Sequence, residues 1–458
     1  MTHPQELPLI WCADLDAPLA WRAGQALTRR QYLADVDALA ELLPARGEVL
    51  NLSGDRYRFA VGLGAAMCRG QANLLPPNHT PDTVARLNER FPHAYALVDP
   101  GATTVALSTV PHPTGPAATS PAAAAPLIDA GHVTAQVLTS GSTGNPEPHA
   151  KRWGLLVRNT AAGADRLARH MGRDNLVGVA VVATVPAQHM YGFESSVLIA
   201  MLAGAAFESE RPFYPADIVR VLAQVPRPRM LVSTPLHLKA LLDAGVQVPP
   251  LDLIVCATAP LSPQLAARAE TQLGAPLMEI YGCTEAGQVA TRRTTAGPEW
   301  QTYRDLRLSG DGDSSTVDGG HVPQPTRLAD VLEVIDAEHF RLLGRSNDLV
   351  NIAGKRSSLT HLNFHLNAIE GVLDGAFWMP PDEQVAQGEV VRLMAFVVAP
   401  ALSRAQLLAA LRRRVDAAFL PRRVVHLEAL PRDPTGKLPA GRLAQLAGQR
   451  LDGSTSKD

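Results

Sequence analysis

Residues 139–151 read Thr139-Ser140-Gly141-Ser142-Thr143-Gly144-Asn145-Pro146-Glu147-Pro148-His149-Ala150-Lys151. They follow an apolar run, His132 to Leu138, whose alternation and β-branching predict a buried strand. A strand therefore empties into a flexible loop rich in hydroxyls. Gly141 and Gly144 free the backbone to turn its N–H groups inward, and Ser140, Ser142 and Thr143 add donors, so the loop can wrap an anion such as a nucleotide phosphate. Pro146 and Pro148 keep the segment from continuing as a helix. It is not the Walker loop, Gly-x-x-x-x-Gly-Lys-Ser/Thr, because Pro146 stands where the second glycine should be and neither glycine leads into Lys-Ser/Thr. Taken alone, the stretch reads equally well as a Ser/Gly surface turn, since turn chemistry selects the same residues.

Other pieces of the chain change that balance. Tyr281-Gly282-Cys283-Thr284-Glu285-Ala286-Gly287 follows a predicted strand from Pro276 to Ile280, Leu343-Gly344-Arg345-Ser346-Asn347-Asp348 precedes a basic loop, and Pro434-Thr435-Gly436-Lys437-Leu438 lies near the C-terminus. In order and content the set resembles the adenylate-forming superfamily: acyl- and aryl-CoA ligases, stand-alone adenylation enzymes, peptide-synthetase adenylation domains and luciferases. The equivalents there are Thr-Ser-Gly-Ser-Thr-Gly-x-Pro-Lys, Tyr-Gly-x-Thr-Glu, Gly-Arg-x-x-Asp and Gly-Lys. The resemblance runs from about Val137 to Lys437. The short chain and the wording of its motifs look most like the small AMP-ligases of bacterial aryl-polyene and xanthomonadin pigment clusters.

Length and composition agree with an enzyme of more than one core. A chain of 458 residues, 46% apolar, exceeds what a single hydrophobic core supports and predicts a large domain plus a smaller one. With 42 basic and 44 acidic residues and no long block of like charge, neither nucleic acid nor an anionic membrane is expected as the main partner. Arg412-Arg413-Arg414 and Arg422-Arg423 are local exceptions, read either as the solvated face and exit of a helix or as a docking patch for an acidic partner. Cys12, Cys68, Cys256 and Cys283 form no Cys-x-x-Cys pair, so neither a zinc site nor a disulfide framework is suggested and reduced thiols fit best. No basic n-region with an apolar core opens the chain, and the longest apolar stretch, near Val197 to Phe207, is too short for a bilayer, so a soluble cytoplasmic protein is expected.

Along the chain, Tyr32, Val36, Leu39 and Leu43 recur at helical spacing behind a capping box, Thr28-x-x-Gln31. Further helices are predicted from Asp55 to Arg69 and from a cap at Asp82 to Phe91, then a strand Tyr95 to Val98. Pro111 to Pro126 reads as an exposed connector. After the loop come a helix Trp153 to His170, with Leu155, Leu156, Asn159 and Leu167 at its spacing, and strands Val177 to Thr184, Met230 to Ser233 and Leu253 to Cys256. Helices follow the last two strands, to Leu242 and Leu273. This βα rhythm predicts an α/β fold: a large N-terminal domain, residues 1–344, with doubly wound mostly parallel sheets whose ligand site lies beyond the carboxyl ends of the strands. Ser309 to Gly320 reads as a mobile hairpin tip; it lacks the terminal Glu and helical flanks of a calcium loop. Strands Val331 to Ile335 and His339 to Leu343 mark a β-rich part. Residues 345–458, with a helix Leu359 to Ile369, a strand Val390 to Val398, a helix Ser403 to Ala418 and a strand Arg423 to Leu427, predict a small mobile α+β lid hinged at Arg345 to Asp348.

The resemblance implies ATP-dependent activation of a carboxylic acid to an acyl-adenylate, then transfer to a thiol, on CoA or on the phosphopantetheine of an acyl carrier protein. For the closest lookalikes the acid is a hydroxybenzoate-type aryl acid. Two anionic reactants must meet, so cations and N–H dipoles must offset their repulsion. The resemblance assigns the β and γ phosphates to Thr139, Ser140, Gly141, Ser142, Thr143 and Gly144, the α-phosphate to Thr284 and Mg²⁺ to Glu285. It gives adenine to Tyr281 with Gly282 and Cys283, and to Thr258, Ala259 and Pro260 at a strand end. Asp330 takes the ribose, although Thr-Gly before it is replaced by Leu328-Ala329, and Arg345 the ribose and phosphate. Arg356, with Gly354, faces the thiol tunnel; His189, Tyr191 and Ser233 line the acid pocket, with His189 closing its carboxylate end. Lys437 reaches the forming acyl phosphate when the lid closes, and it is one of only five lysines in the chain. Two readings of Thr284-Glu285 stay open on the residues alone, a helix cap and a phosphate contact. Glu147 stands where the family has the loop lysine, and Lys151 is the candidate to replace it.

Overall fold

The computed structural model describes residues 5–76, 78–101, 106–114, 124–140, 146–310, 314–345, 349–352, 355–379, 393–432 and 438–452, with side chains at all but 139, 140, 146, 147, 345, 349, 351, 356, 440 and 450–452. Two sheets organise the first two thirds of the chain. One has six strands in the order Pro146–Arg152, Val133–Ser140, Asn73–Leu75, Val49–Asn51, Tyr95–Val98 and Ser108–Pro111. All its pairings are parallel except the hairpin at its edge. The other has eleven strands: Asp330–Val334, His339–Arg345, Glu299–Thr302, Gly287–Arg292, Leu277–Cys283, Leu253–Cys256, Arg229–Ser233, Ala180–Ala183, Ala206–Glu208, Pro18–Arg22 and Gln25–Thr28. Its middle, from Leu277–Cys283 to Pro18–Arg22, is parallel and its flanks are antiparallel. A three-stranded meander, Leu306–Gly310, Ser315–Gly319 and Val322–Leu328, packs beside the antiparallel flank.

The helices sit where their sequences put them. Arg29–Leu42 carries the Thr28/Gln31 capping box, Asp55 caps Arg56–Cys68 by accepting from the Arg58 amide, and Trp153–His170 matches its predicted bounds. These helices share one core with strands of both sheets, so the apolar seam between the sheets is the largest in the molecule. Two arginines are buried in that seam. Arg29 donates to the carbonyls of Pro18, Ala200 and Ala205, and Arg56 to those of Ala183, Val185 and Glu208 and to Ser196 Oγ. Burial pulls both guanidinium groups down to about 10.

Past Leu349 two further clusters form from residues 350–447 alone. They fill a three-stranded sheet, Asp374–Trp378, Met394–Val398 and Arg423–His426, with helices Leu359–Asn367, Arg404–Leu411 and Ala440–Asp452. The seam with the rest includes Gln264 Nε2 donating to Ala368 O at 2.9 Å and Ser358 Oγ donating to Leu343 O.

Several expectations are corrected. The residues after the loop are a strand, Pro146–Arg152, because an edge strand tolerates prolines at positions that need no ladder donor. Thr80 is the cap of Pro81–Arg90, and Asp82 lies inside its first turn, where its charge meets the helix dipole. The helix predicted from Ser403 to Ala418 stops at Leu411, so Arg412, Arg413 and Arg414 follow it in an exposed turn. The strand predicted at Val177 spans only Ala180–Ala183. Helix Pro215–Gln224 and the π-helical turn Phe193–Leu198 were not foreseen. Ser309 to Gly320 does form a hairpin. Most of the connector from Pro111 to Pro126, and the hinge residues Ser346, Asn347 and Asp348, lie outside the described residues.

Candidate active site

The hairpin leaving the loop is bonded to the turn that carries Thr284 and Glu285. Lys151 projects from strand Pro146–Arg152, is 9% exposed, and donates from Nζ to the carbonyls of Thr284 and of Glu285, the latter at 3.1 Å. Burial lowers its pKa, opposed by Glu194, Cys283 and Glu285. An ammonium so committed is a brace for the turn, and it is not free to follow a triphosphate as the missing loop lysine would. Gly141, Ser142, Thr143 and Gly144 lie outside the described residues, as do the side chains of Thr139 and Ser140, whose backbones face Glu147 and Pro146 across the hairpin.

Thr284-Glu285 forms no helix cap; it is the tip of a hairpin closed by Cys283 opposite Gly287. The strands approach so closely at Gly282 that a Cβ there would lie 2.4 Å from Gly287 O, and Gly287 closes the turn at φ +79°. Thr284 is half-buried and Glu285 exposed. The Cys283 thiol is pushed up to about 12 by burial, so it stays protonated. One turn of strand earlier, the Tyr281 ring packs 5.8 Å from Trp300 and 5.6 Å from Phe340, and its hydroxyl donates to Asp330 Oδ2 at 2.8 Å. Asp330 in turn lies opposite Arg345 in register. Tyr281, Asp330 and the backbone of Arg345 thus share one corner of the large sheet; the side chains of Arg345 and Arg356, and all of Lys437 and Gly354, lie outside the described residues.

At the carboxyl ends of the parallel strands, Thr258, Ala259 and Pro260 follow Leu253–Cys256. Thr258 holds φ +82°, a left-handed conformation costly for a β-branched residue, with its Oγ1 buried and unpartnered. Tyr191 and Ser233 are 7% and 1% exposed. The Tyr191 hydroxyl sits between Ser233 O at 3.1 Å and Val255 O at 2.9 Å, and Ser233 Oγ meets Thr184 Oγ1 at 3.0 Å. Both are therefore tied up by neighbouring strands, and neither lines the cavity described below. His189 begins the short helix Met190–Gly192 and accepts the Tyr191 amide at Nδ1, 3.3 Å away, which leaves the proton of a neutral ring on Nε2.

A cavity of about 270 Å³ opens between the phosphate-loop hairpin, helix Trp153–His170, the π-helical turn, the Glu285–Gly287 turn and strand Val322–Leu328. Lys151 and Glu285 line it, together with polar residues that the motifs do not name: Arg152, Asn159, Glu194, His321, Gln324 and Thr326. Glu194 Oε1 accepts from Asn159 Nδ2 at 2.5 Å. Burial pushes Glu194 up to about 7, with Lys151 and Asn159 pulling it back, and burial pushes His321 down to about 4. One signal was present in the sequence: Asn159 occupies the apolar stripe of its helix, where a polar residue needs a partner.

Residues 13–311 match the family model described as AMP-binding enzyme. The chain belongs to that family. A 4-coumarate–CoA ligase from Rhodobacter capsulatus is 33% identical over 317 residues, 68% of this chain and 77% of the relative. A second 4-coumarate–CoA ligase, from Halorhodospira halophila, is 30% identical over 277 residues, 58% of this chain and 63% of its own. Among solved structures, ATP-bound MatB from Rhodopseudomonas palustris superposes with a TM-score of 0.77 at 18% identity, covering 95% of this chain and 96% of its own. MenE from Bacillus subtilis, in complex with AMP, gives 0.74 at 16%, covering 96% and 98%. This AMP-binding enzyme is an adenylate-forming acid–thiol ligase; ATP and a thiol are its co-substrates, and Mg²⁺ is typical of the family. Among the described residues no group of three or more His, Cys, Asp or Glu could hold a metal ion. An exposed lone carboxylate such as Glu285 fits a Mg²⁺ ion that takes its remaining ligands from phosphates and water. Among the described residues, too, no helix is long and apolar enough to cross a membrane.

Proposed function

We propose that this AMP-binding enzyme activates an aryl acid, of the hydroxybenzoate kind, and hands the acyl group to the phosphopantetheine of an acyl carrier protein. The reading is supported by the pair of links from Lys151 to the Thr284–Glu285 turn and from Tyr281 to Asp330, which tie strand Pro146–Arg152 to that turn and Tyr281 to Asp330. Thr284 then meets the α-phosphate, Glu285 holds Mg²⁺, whose charge offsets that of the phosphates, and His189 offers its Nε2–H to the entering carboxylate. Lys437 arrives on the segment after Arg345, acting as a lid over residues 1–344. An aryl substrate is supported by the relatives named for 4-coumarate. A carrier protein is supported by the exposed Arg412, Arg413, Arg414, Arg422 and Arg423, a basic face for an acidic partner. This chemistry suits a cytoplasmic enzyme.

CoA as the acceptor is the second reading, favoured by the same relatives' names. Pyrophosphate exchange across a panel of aryl and fatty acids tests the first step, and CoA and holo-carrier protein offered in parallel test the second. Exchange with aryl acids, and thiol transfer to the carrier that falls when Arg412 and Arg413 are both changed to Glu, is the expected result. Transfer to CoA alone overturns the carrier assignment, and exchange with no acid marks a degenerate nucleotide-binding regulator.

A further inference from the structure

His189 hangs between two anchors, one in each large sheet. On its C-terminal side, Tyr191 gives its amide to His189 Nδ1 and its hydroxyl sits between Ser233 O and Val255 O, on strands of the eleven-stranded sheet. On its N-terminal side, Gln188 reaches the other way. Its Nε2 donates to Ser53 O at 2.7 Å, and Ser53 lies in the loop just past strand Val49–Asn51 of the six-stranded sheet. The segment between these anchors is closed on itself: the His189 amide donates to Pro186 O at 3.3 Å, and a Cβ at Gly192 would lie 2.1 Å from the same oxygen. A pull on Gln188 is therefore passed to the neighbouring ring.

Ser53 is held in its turn. It is 1% exposed; its amide donates to Asn51 Oδ1 at 3.3 Å, and its hydroxyl pairs with His112 Nε2 at 2.9 Å. Asn51 is locked by Nδ2 donating to Phe59 O at 2.9 Å, and His112, also buried, by its amide donating to Val98 O at 3.0 Å. The following residue, Gly54, gives its amide to Asp99 Oδ2 at 2.9 Å. With its amide and its hydroxyl both engaged, Ser53 presents a carbonyl of fixed direction, and a buried carbonyl needs a donor. Gln188 is that donor. An apolar side chain of the same length would fill the seam as well, but only the amide adds the directionality of a hydrogen bond.

We propose that Gln188, Ser53 and His112 are positioning residues for the adenylation step: they tie the turn that carries His189 to the six-stranded sheet and so hold its ring at the angle from which Nε2–H meets the entering carboxylate. This rests on the role proposed above for His189. The three residues act through that ring, in series, with His112 fixing Ser53 and Ser53 fixing Gln188. Loss of alignment by about 1 Å at a reacting group costs roughly a hundredfold, and a strut one residue away should be felt as about a tenth of that.

The test is a mutant cycle read by pyrophosphate exchange in the full chain. Gln188→Leu should lower the exchange kcat about tenfold while KM for ATP stays within about threefold. In a His189→Ala background the same change should cost less than about twofold, because the ring that it aims is gone. A loss that persists undiminished there, or no loss in the parent, overturns the proposal and leaves adenylation standing. A His189→Ala variant as active as the parent removes the ring's role and the proposal with it. His112→Leu should reproduce the loss, and His112→Gln, whose amide can still meet the Ser53 hydroxyl, should recover most of it; a silent His112→Leu, or a His112→Gln as poor as His112→Leu, is equally fatal. If Gln188→Leu does not fold, Ser53→Ala takes its place in the same cycle with the same readings. If no acid supports exchange, the adenylation reading falls instead, and the strut is decided on the ring itself. In NMR spectra of protein carrying isotope-labelled histidine, the His189 ring signals, identified by their absence from His189→Asn, should move in Gln188→Leu and in His112→Leu alike; signals unmoved in either sink it.

Discussion

Lys151 is a buried charge proposed to serve the reaction without touching it. Its bonds to the Thr284 and Glu285 carbonyls fix a turn whose side chains are proposed to face the reactants, so Lys151→Met should let that turn drift. A displacement of about 1 Å there costs roughly a hundredfold. The exchange kcat should therefore fall ten- to a hundredfold while KM for ATP moves less than about threefold; a large KM effect alone would restore Lys151 as a phosphate ligand. Glu194 carries a second prediction, on stability. Its carboxyl, ordinarily near 4.5, is pushed up to about 7 in the folded chain. Between those values the native state holds a proton that the unfolded chain has released, so stability declines as pH rises through that window and stays lower above it. Glu194→Gln removes this slope. Measured by urea unfolding at pH 5 and pH 8, the variant should gain on the parent by about 3 kcal/mol across the interval, and a difference independent of pH would refute the assignment.

At the scale of elements, the hairpin Leu277–Cys283/Gly287–Arg292 joins backbone conformation to the pocket. Gly287 sits at φ +79°, and a Cβ there would meet Glu194 Oε1 at 3.0 Å and Asn159 Nδ2 at 3.2 Å. Gly287→Ala should cost about 1–2 kcal/mol by thermal unfolding; a variant as stable as the parent would show that the turn relaxes freely. The elements that the sequence made legible are those with local punctuation: the Thr28 capping box, the Asp55 cap and the strand-to-helix steps after Ser233 and Cys256. The strand Pro146–Arg152 was hidden because its two prolines argue against a ladder, and only its place at a sheet edge, a tertiary fact, makes them harmless. The site divides in the same way. Tyr281, Thr284 and Glu285 stand in a contiguous motif, whereas Glu194 lies in a π-helical turn and His321 in the meander hairpin, with no short-range pattern to join them.

Over the whole molecule, two assemblies matter, the seam between the sheets and the C-terminal unit. Arg56 bolts helix Arg56–Cys68 to the end of Ala180–Ala183 and to the π-helical turn, with donors spread over a planar fork. Arg56→Lys keeps the charge and loses the fork, so it should destabilise by about 2–4 kcal/mol in denaturant titration; a loss under about 0.5 kcal/mol would mean that water replaces the missing donors. For the C-terminal unit, the proposed arrival of Lys437 predicts that Lys437→Ala lowers the adenylation rate about a hundredfold or more with little change in ATP affinity. Equal losses of rate and affinity would remove that role.

The strand pair Pro18–Arg22 and Gln25–Thr28 closes the large sheet at its far end: Pro18–Arg22 pairs with Ala206–Glu208, nearly two hundred residues downstream. During synthesis, at roughly 5–20 residues per second, the opening hairpin must wait on the order of ten seconds or more for its partner to leave the ribosome. A translation product missing residues up to Thr28 would leave Ala206–Glu208 as a raw apolar border, and such a border recruits other chains. This strand pair therefore acts as a seal fitted late, and its loss should be seen first as insolubility, before any defect in chemistry.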